Sequence, residues 1–418
     1  MNQLKATLAT LLACLAVPSL ASADRLVEVS RAVTAHNTVT ATVYDRDGTP
    51  FVFSGGDGGF IDVFRLEPDG SLVAVERQPL VAKKGPGRGF VGAKVGDNHF
   101  FFAGNKGGDA IEVFSLAEDG TLELVHNEHD SPDTHIAVVI TLRVLHTAEG
   151  SFLFAGGLEF DEPGLTCYEI QPDGSLVHVQ SMLDNDTLHT DGIIAMYDTT
   201  IGGKRYLVTG GFQDNGLSSF LVHDDGTFEN VSNIGDNTTD LFLTGTYPVD
   251  GVTLGDNHYV VVGHRHHKYY RRLDFIKQKD FVYHGDAVSI FRLDEDGQIR
   301  PHSVLMDDEQ TRLQGQTRIE VMKINDSEAA VVVGTRDDES LQICRLSADG
   351  TLRPTGVLGD VFPIYYGLAS YGEGSDLRVI AGSVDFNLKR LVSYRLELSD
   401  VEAASDSGNG DLATADGD

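Results

Sequence analysis

Tryptophan is absent from this 418-residue chain, cysteine occurs three times and methionine five times. Basic residues are scarce too: 32 Lys and Arg stand against 63 Asp and Glu, a formal charge of −31. The field of so acidic a chain repels polyanions, which argues against nucleic acid or an anionic membrane as partner. No apolar run reaches the ~18 residues that a membrane-spanning helix needs. Glycine is abundant at 46 residues, and 41% of the chain is hydrophobic, enough to bury a core.

The apolar stretch Ala6–Val17 follows one cation, Lys5, and precedes the small residues Ala21-Ser22-Ala23. That order predicts a secretory signal peptide over residues 1–23, cleaved before Asp24, and hence a periplasmic or secreted protein. Leu11-Leu12-Ala13-Cys14 has the form of a bacterial lipoprotein cleavage box, but the apolar run ahead of Cys14 is very short. At the other end, residues 400–418 are Asp, Ser, Gly and Ala with almost no apolar bulk, which predicts a disordered acidic tail.

Between these ends one unit repeats. A short apolar run ends in glycine at Gly55, Gly104, Gly156, Gly210, Gly263, Gly334 and Gly382, at spacings of 49, 52, 54, 53, 71 and 48. After six of these comes a second run with an Asp-Gly turn, as in VFRLEPDGSL to Gly70 and VFSLAEDGTL to Gly120. The first unit divides into four short strands, Thr38–Val43, Pro50–Phe53, Ile61–Leu66 and Ser71–Glu76, separated by turn residues. Four strands in a period near 50 residues predict an all-β, seven-bladed β-propeller over residues 24–399, with four-stranded antiparallel blades. The seventh unit lacks its outer strand, and Arg25–Val33 resembles the missing piece. It should pair with Leu391–Leu396, complete the last blade and close the ring.

Phe64, Phe114, Tyr168, Phe220, Phe291 and Cys344 all lie six residues before an Asp-Gly glycine, and the period of two predicts a buried face there. Cys344 thus reads as a small core thiol. Cys167 falls in blade three and Cys344 in blade six, too far apart for a disulfide, so both should be free. The Asp-Gly pairs read as hairpin turns in preference to calcium sites. His99 and His258, in two copies of Gly-Asp-Asn-His, read as turn residues.

The largest departure from the repeat is an insertion in blade five, residues 264–284, HRHHKYYRRLDFIKQKDFVYH. It carries six Lys and Arg against two Asp, an inversion of the overall charge. Arg265, Arg271 and Arg272 suit a carboxylate or phosphate through paired N–H donors. His264, His266 and His267 could trade protons. The same segment is also readable as a solvated basic loop paired with the acidic rim. No cofactor is required, although His264 and His266, joined by His284 or His189, could hold a divalent metal. Further pocket candidates stand where the chain leads into each inner strand: His36, Arg88, His135, His189 with Asp191, Tyr247 with Asp250, Arg318, and Tyr365 with Tyr366. Asp191 and Asp250 could equally cap backbone amides.

The repeated VFRLxxDGSL unit and its sevenfold recurrence resemble the bacterial β-propeller lactonase family, which includes 6-phosphogluconolactonase-like and carboxymuconate-lactonising-type proteins. The resemblance spans nearly the whole mature chain and implies a lactonase-like hydrolase. The leading expectation is hydrolysis of a small anionic lactone at the mouth of the central channel by a monomer. Arg265, Arg271, Arg272, Arg88, Arg318 and Tyr365 would bind it, and His264, His266, His267, His189 and Asp191 would carry the acid–base work. A lyase or binder of an acidic saccharide, and a non-catalytic scaffold, are the alternatives.

Overall fold

The computed structural model describes residues 23–81, 87–158, 163–235, 241–264 and 286–399. Residues 1–22, where a signal peptide is expected, the insertion residues 265–285 and residues 400–418 lie outside the described residues. The described residues form only β-strands, and among them there is no helix long and apolar enough to cross a membrane.

Twenty-eight strands fall into seven groups of four. β1 (Arg25–Val33) comes first. The first repeat supplies β2 (Thr40–Arg46), β3 (Thr49–Gly55), β4 (Phe60–Leu66) and β5 (Leu72–Pro79). The second supplies β6 (Gly87–Val95), β7 (Asn98–Asn105), β8 (Ala110–Leu116) and β9 (Leu122–His129). The third supplies β10 (Val139–His146), β11 (Ser151–Gly157), β12 (Gly164–Ile170) and β13 (Leu176–Leu183). The fourth supplies β14 (Ile193–Ile201), β15 (Lys204–Gly211), β16 (Gly216–Val222) and β17 (Phe228–Gly235). The fifth supplies β18 (Thr246–Leu254), β19 (Asn257–His264), β20 (Ala287–Leu293) and β21 (Ile299–Met306). The sixth supplies β22 (Gln316–Asn325), β23 (Glu328–Thr335), β24 (Leu341–Ser347) and β25 (Leu352–Leu358). The last supplies β26 (Ile364–Tyr371), β27 (Leu377–Ser383) and β28 (Arg390–Glu397).

Within each group the strands pair antiparallel in chain order. β1 pairs antiparallel with β28, from Arg25 opposite Glu397 to Val33 opposite Arg390, so the N-terminal strand completes the last sheet. The first strand of each group lies beside the first strand of the next, and β26 lies beside β2 through a parallel bridge, Thr40 to Tyr366. This arrangement of sheets is that of a β-propeller.

In the first repeat β2 and β5 begin later and end three residues further on than the sequence suggests, while β3 and β4 match it to within two residues. Two readings need correction. His99 and His258 belong to β7 and β19, where Tyr44 Oη and His99 Nδ1 are 2.7 Å apart and Thr253 Oγ1 and His258 Nδ1 are 2.8 Å apart. The third strand of each group is also buried on both faces, since it lies between two neighbouring sheets: Val63 and Phe64 in β4, Val113 and Phe114 in β8. Cys167 and Cys344 are free and fully buried, and burial pushes both thiols up.

The Asp-Gly turns join one repeat to the next. Phe51, Phe100, Phe152, Tyr206 and Tyr259 each sit near the start of a second strand. Each presses against the turn glycine of the following repeat: Gly120, Gly174, Gly226, Gly297 and Gly350. Tyr206 and Tyr259 also donate from Oη to Glu295 O at 3.0 Å and Ala348 O at 2.8 Å, two residues before those glycines. Arg378 of the last repeat plays the same part toward the first: it touches the Gly70 site and donates to Pro68 O at 3.3 Å. Gly226 has φ of +82°, and a Cβ there would come within 2.2 Å of the Phe152 ring. Gly226→Ala should therefore destabilise the protein by about 2–4 kcal/mol from backbone strain plus overpacking. Denaturant unfolding checks this, and a loss under about 1 kcal/mol would refute the docking role.

Candidate functional site

The chain leading into five of the inner strands is anchored by an amide over the third strand of its own sheet. Asp62 accepts the Ala35 amide, Glu112 accepts Val81, Thr166 accepts His135, Ser218 accepts His189 and Gln342 accepts Arg312. Six inner strands then begin with a register irregularity, between Arg88 and Phe90, Val139 and Thr141, Ile193 and Ala195, Thr246 and Val249, Gln316 and Arg318, and Ile364 and Leu368. Such bulges re-aim side chains at a rim. Here they gather the side chains that differ most between repeats.

At this rim Arg88 meets two tyrosines. Its guanidinium carbon lies 5.2 Å from the ring centroid of Tyr365 and 5.5 Å from that of Tyr366. Arg336 approaches Tyr365 at 6.0 Å, and Tyr247 stacks on Tyr366 at 5.2 Å. Ile140, Ile194 and Phe212 pack with Tyr247 and Tyr366 as an apolar floor. The Arg88 Nε is sealed from solvent with no hydrogen-bond partner among the described residues. A guanidinium held by aromatic faces, with no carboxylate bonded to it among the described residues, can receive an anion.

On the axis, residues from all seven inner strands line a cavity of about 150 Å³. Its charged groups are Arg143, Asp250, Arg318 and Glu320. Arg318 Nε donates to Glu320 Oε1 at 2.8 Å, and Arg143 pairs with Asp198. Burial, reinforced by the negative charge of Glu320, raises the Asp250 carboxyl to about 7. A larger hollow of about 860 Å³ lies elsewhere, around Asp24, Arg25, Thr355, Glu397 and Ser399.

The structure divides the residues expected from sequence. Arg88 and Tyr365 come together at the rim, and Arg318 lies on the axis. His189 does not reach the axis: its ring covers Gly216 and Gly235, at the ends of the third and fourth strands of its sheet. Burial there lowers its tendency to protonate. His36 occupies the matching place in the first repeat, over Gly58 and stacked on Phe60 at 5.9 Å. Asp191 holds the rim together, its amide donating to Asp214 Oδ2 at 2.7 Å and its carbonyl accepting from the Gln213 amide. His264 is buried 4.0 Å from Asp286 and stacks on Phe242, so this pair brackets the insertion. Arg265, His266, His267, Arg271 and Arg272 lie outside the described residues. Among the described residues no group of three or more His, Cys, Asp or Glu is placed to hold a metal ion.

Sequence reasoning missed Arg143, Glu320 and Arg336. Arg143 carried a usable signal, as a charge inside the largely apolar strand VITLRVLH, as Asp250 is in YPVDGV; Glu320 lies in QTRIEVMK beside Arg318 and Lys323 and stands out less. Arg336 sits in a turn whose polarity looks ordinary.

No protein-family model matches the chain, and no curated protein does. Solved structures do. The periplasmic gluconolactonase of Pseudomonas aeruginosa matches with a TM-score of 0.58 at 15% identity, over 82% of this chain and 88% of that one. A Lactobacillus plantarum protein matches at 0.57 and 15%, over 81% and 89%. A putative 6-phosphogluconolactonase from Bacteroides uniformis matches at 0.55 and 15%, over 77% and 86%. At the level of fold the chain is thus similar to propeller lactonases, as its repeat suggests.

Proposed function

We propose that the seven sheets close into a seven-bladed ring and that its axial mouth hydrolyses a small lactone bearing a carboxylate or phosphate. Three observations support closure: the successive inner-strand contacts, the last-to-first docking of Arg378, and the completion of the last sheet by β1. The signal-like N-terminus supports action outside the cytoplasm. The chemistry rests on one observation, the desolvated Arg88 between tyrosine faces. Arg88, with Arg336 nearby, would hold the anionic group, and Tyr365 and Tyr366 would support the ring. Water then adds to the lactone carbonyl, the ring C–O bond breaks, and a hydroxycarboxylate and a proton leave. Asp191, whose backbone is held at the rim by Asp214 and Gln213, would orient that water. Two of the structural neighbours bear lactonase names, which favours lactones over other anions.

Proton release in a pH-stat tests this. Lactones carrying a carboxylate or phosphate should be opened well above the uncatalysed rate, and neutral lactones of the same ring size much more slowly. An unsaturated uronate appearing from an acidic polysaccharide would replace this reading with a lyase. Silence in both assays, with a ligand-induced thermal shift, would leave a binding protein.

A further inference from the structure

The axis holds more charge than an anion-binding mouth requires. Inner strands of neighbouring sheets share no hydrogen-bonded ladder apart from the single bridge between β2 and β26. Side chains connect them instead. Arg143 pairs with Asp198 from β10 to β14. Asp250 Oδ2 accepts the Val321 amide at 2.8 Å, from β18 to β22. The Ser370 hydroxyl donates to Glu320 Oε2 at 2.8 Å, from β26 to β22.

Asp250 stands in the middle of this girdle. Glu320 and Arg318 face it from β22, Arg143 from β10, and Tyr197 and Asp198 from β14. Each arginine directs its hydrogen bonds to a different carboxylate, Arg143 to Asp198 and Arg318 to Glu320. Asp250 is left with the backbone donors of Val321 and Gly251, the unbonded attraction of Arg143 and the like charge of Glu320 across the seam, where Arg143, Asp250 and Glu320 line one cavity.

We propose that Asp250 retains its proton in the folded protein, and that losing it weakens the seam between β18 and β22. The inference does not depend on the lactonase reading. Burial and the Glu320 charge both raise the Asp250 carboxyl, from 3.8 to about 7. A raised carboxyl means that the folded chain keeps a proton the unfolded chain has released. The stability it contributes is complete below 3.8 and declines as pH rises, until it is gone above about 7. The axis then behaves as a pH-sensitive staple, strongest in mild acid.

Melting curves of the full chain from about pH 5 to about pH 9 test this. The unsubstituted protein should lose several degrees of Tm between about pH 5 and about pH 7 and level off above that. Histidines also titrate in that interval, so the informative quantity is the difference between variants. Asp250→Asn should remove most of the fall and melt higher than the parent in mild alkali. Glu320→Gln should shift the fall to lower pH by removing the repelling charge. Parallel curves for Asp250→Asn and the parent would overturn the proposal. Should Asp250→Asn fail to fold, Glu320→Gln decides alone: a shift to lower pH supports the retained proton, and an unmoved midpoint refutes it.

Discussion

Asp24→Ala is expected to destabilise the chain by about 3 kcal/mol, near the lower end of the range for breaking a buried ion pair. The Asp24 and Arg345 side chains are 0% and 3% exposed, and the pair is bidentate at 2.6 and 2.8 Å. Asp24 also accepts the Thr355 hydroxyl, the Ser399 amide and the Ser399 hydroxyl. Six sheets join their third and fourth strands through a covalent turn. In the seventh those strands are β28 and β1, chain ends about 370 residues apart, and Asp24 ties their tips together. Alanine would strand the Arg345 charge in the interior with Glu328 as its remaining carboxylate partner at 2.8 Å. Unfolding in denaturant measures the loss, and a change under about 1 kcal/mol would mean that the strand ladder alone holds the seam. Burial pushes the Asp24 carboxyl up, but the bonds from Arg345, Thr355 and Ser399 outweigh it and hold the group at about 2. Its contribution is therefore present above 3.8 and lost as pH falls toward 2. This window lies below that of Asp250, so the two effects separate on one pH scan.

Arg88→Ala is expected to lower kcat/KM for an anionic lactone by about 10–100-fold, the effect of losing a charge-assisted bond of about 1.5–3 kcal/mol. The loss should be much smaller for a neutral lactone, because it arises from the anionic group. Arg88→Lys should recover part of the rate, since a point charge replaces the planar fork. Added salt should weaken anionic substrates more than neutral ones. A uniform loss across both substrates would instead mark Arg88 as a structural support for Tyr365 and Tyr366.

The repeat made the fold legible because strand, turn and spacing are local properties. FVFSG, VFRL and PDGSL announce second strand, third strand and hairpin without help from distant residues. Even the pairing of Arg25–Val33 with the final strand could be read, since its sequence copies the other outer strands. What escaped detection depends on contacts between repeats. Phe152 pressing on Gly226, Tyr259 reaching Ala348 and Asp24 bonding Arg345 each join residues that no spacing connects. The site was legible only in part for the same reason. Arg88 and Tyr365 were recognised as lead-in residues, but their meeting joins the second and last repeats. His189 looked as exposed to the axis as Arg88 did, and only the third-strand glycine beneath it reveals a peripheral seat.

Equilibrium binding of an unreactive lactam carrying a carboxylate, to the parent and to Arg88→Ala, tests the central claim most directly. The parent should bind it with an affinity that falls as salt rises, and the substitution should weaken binding at least about tenfold with the melting temperature preserved. Equal affinity in both proteins would place the anion elsewhere and contradict the assignment of the mouth.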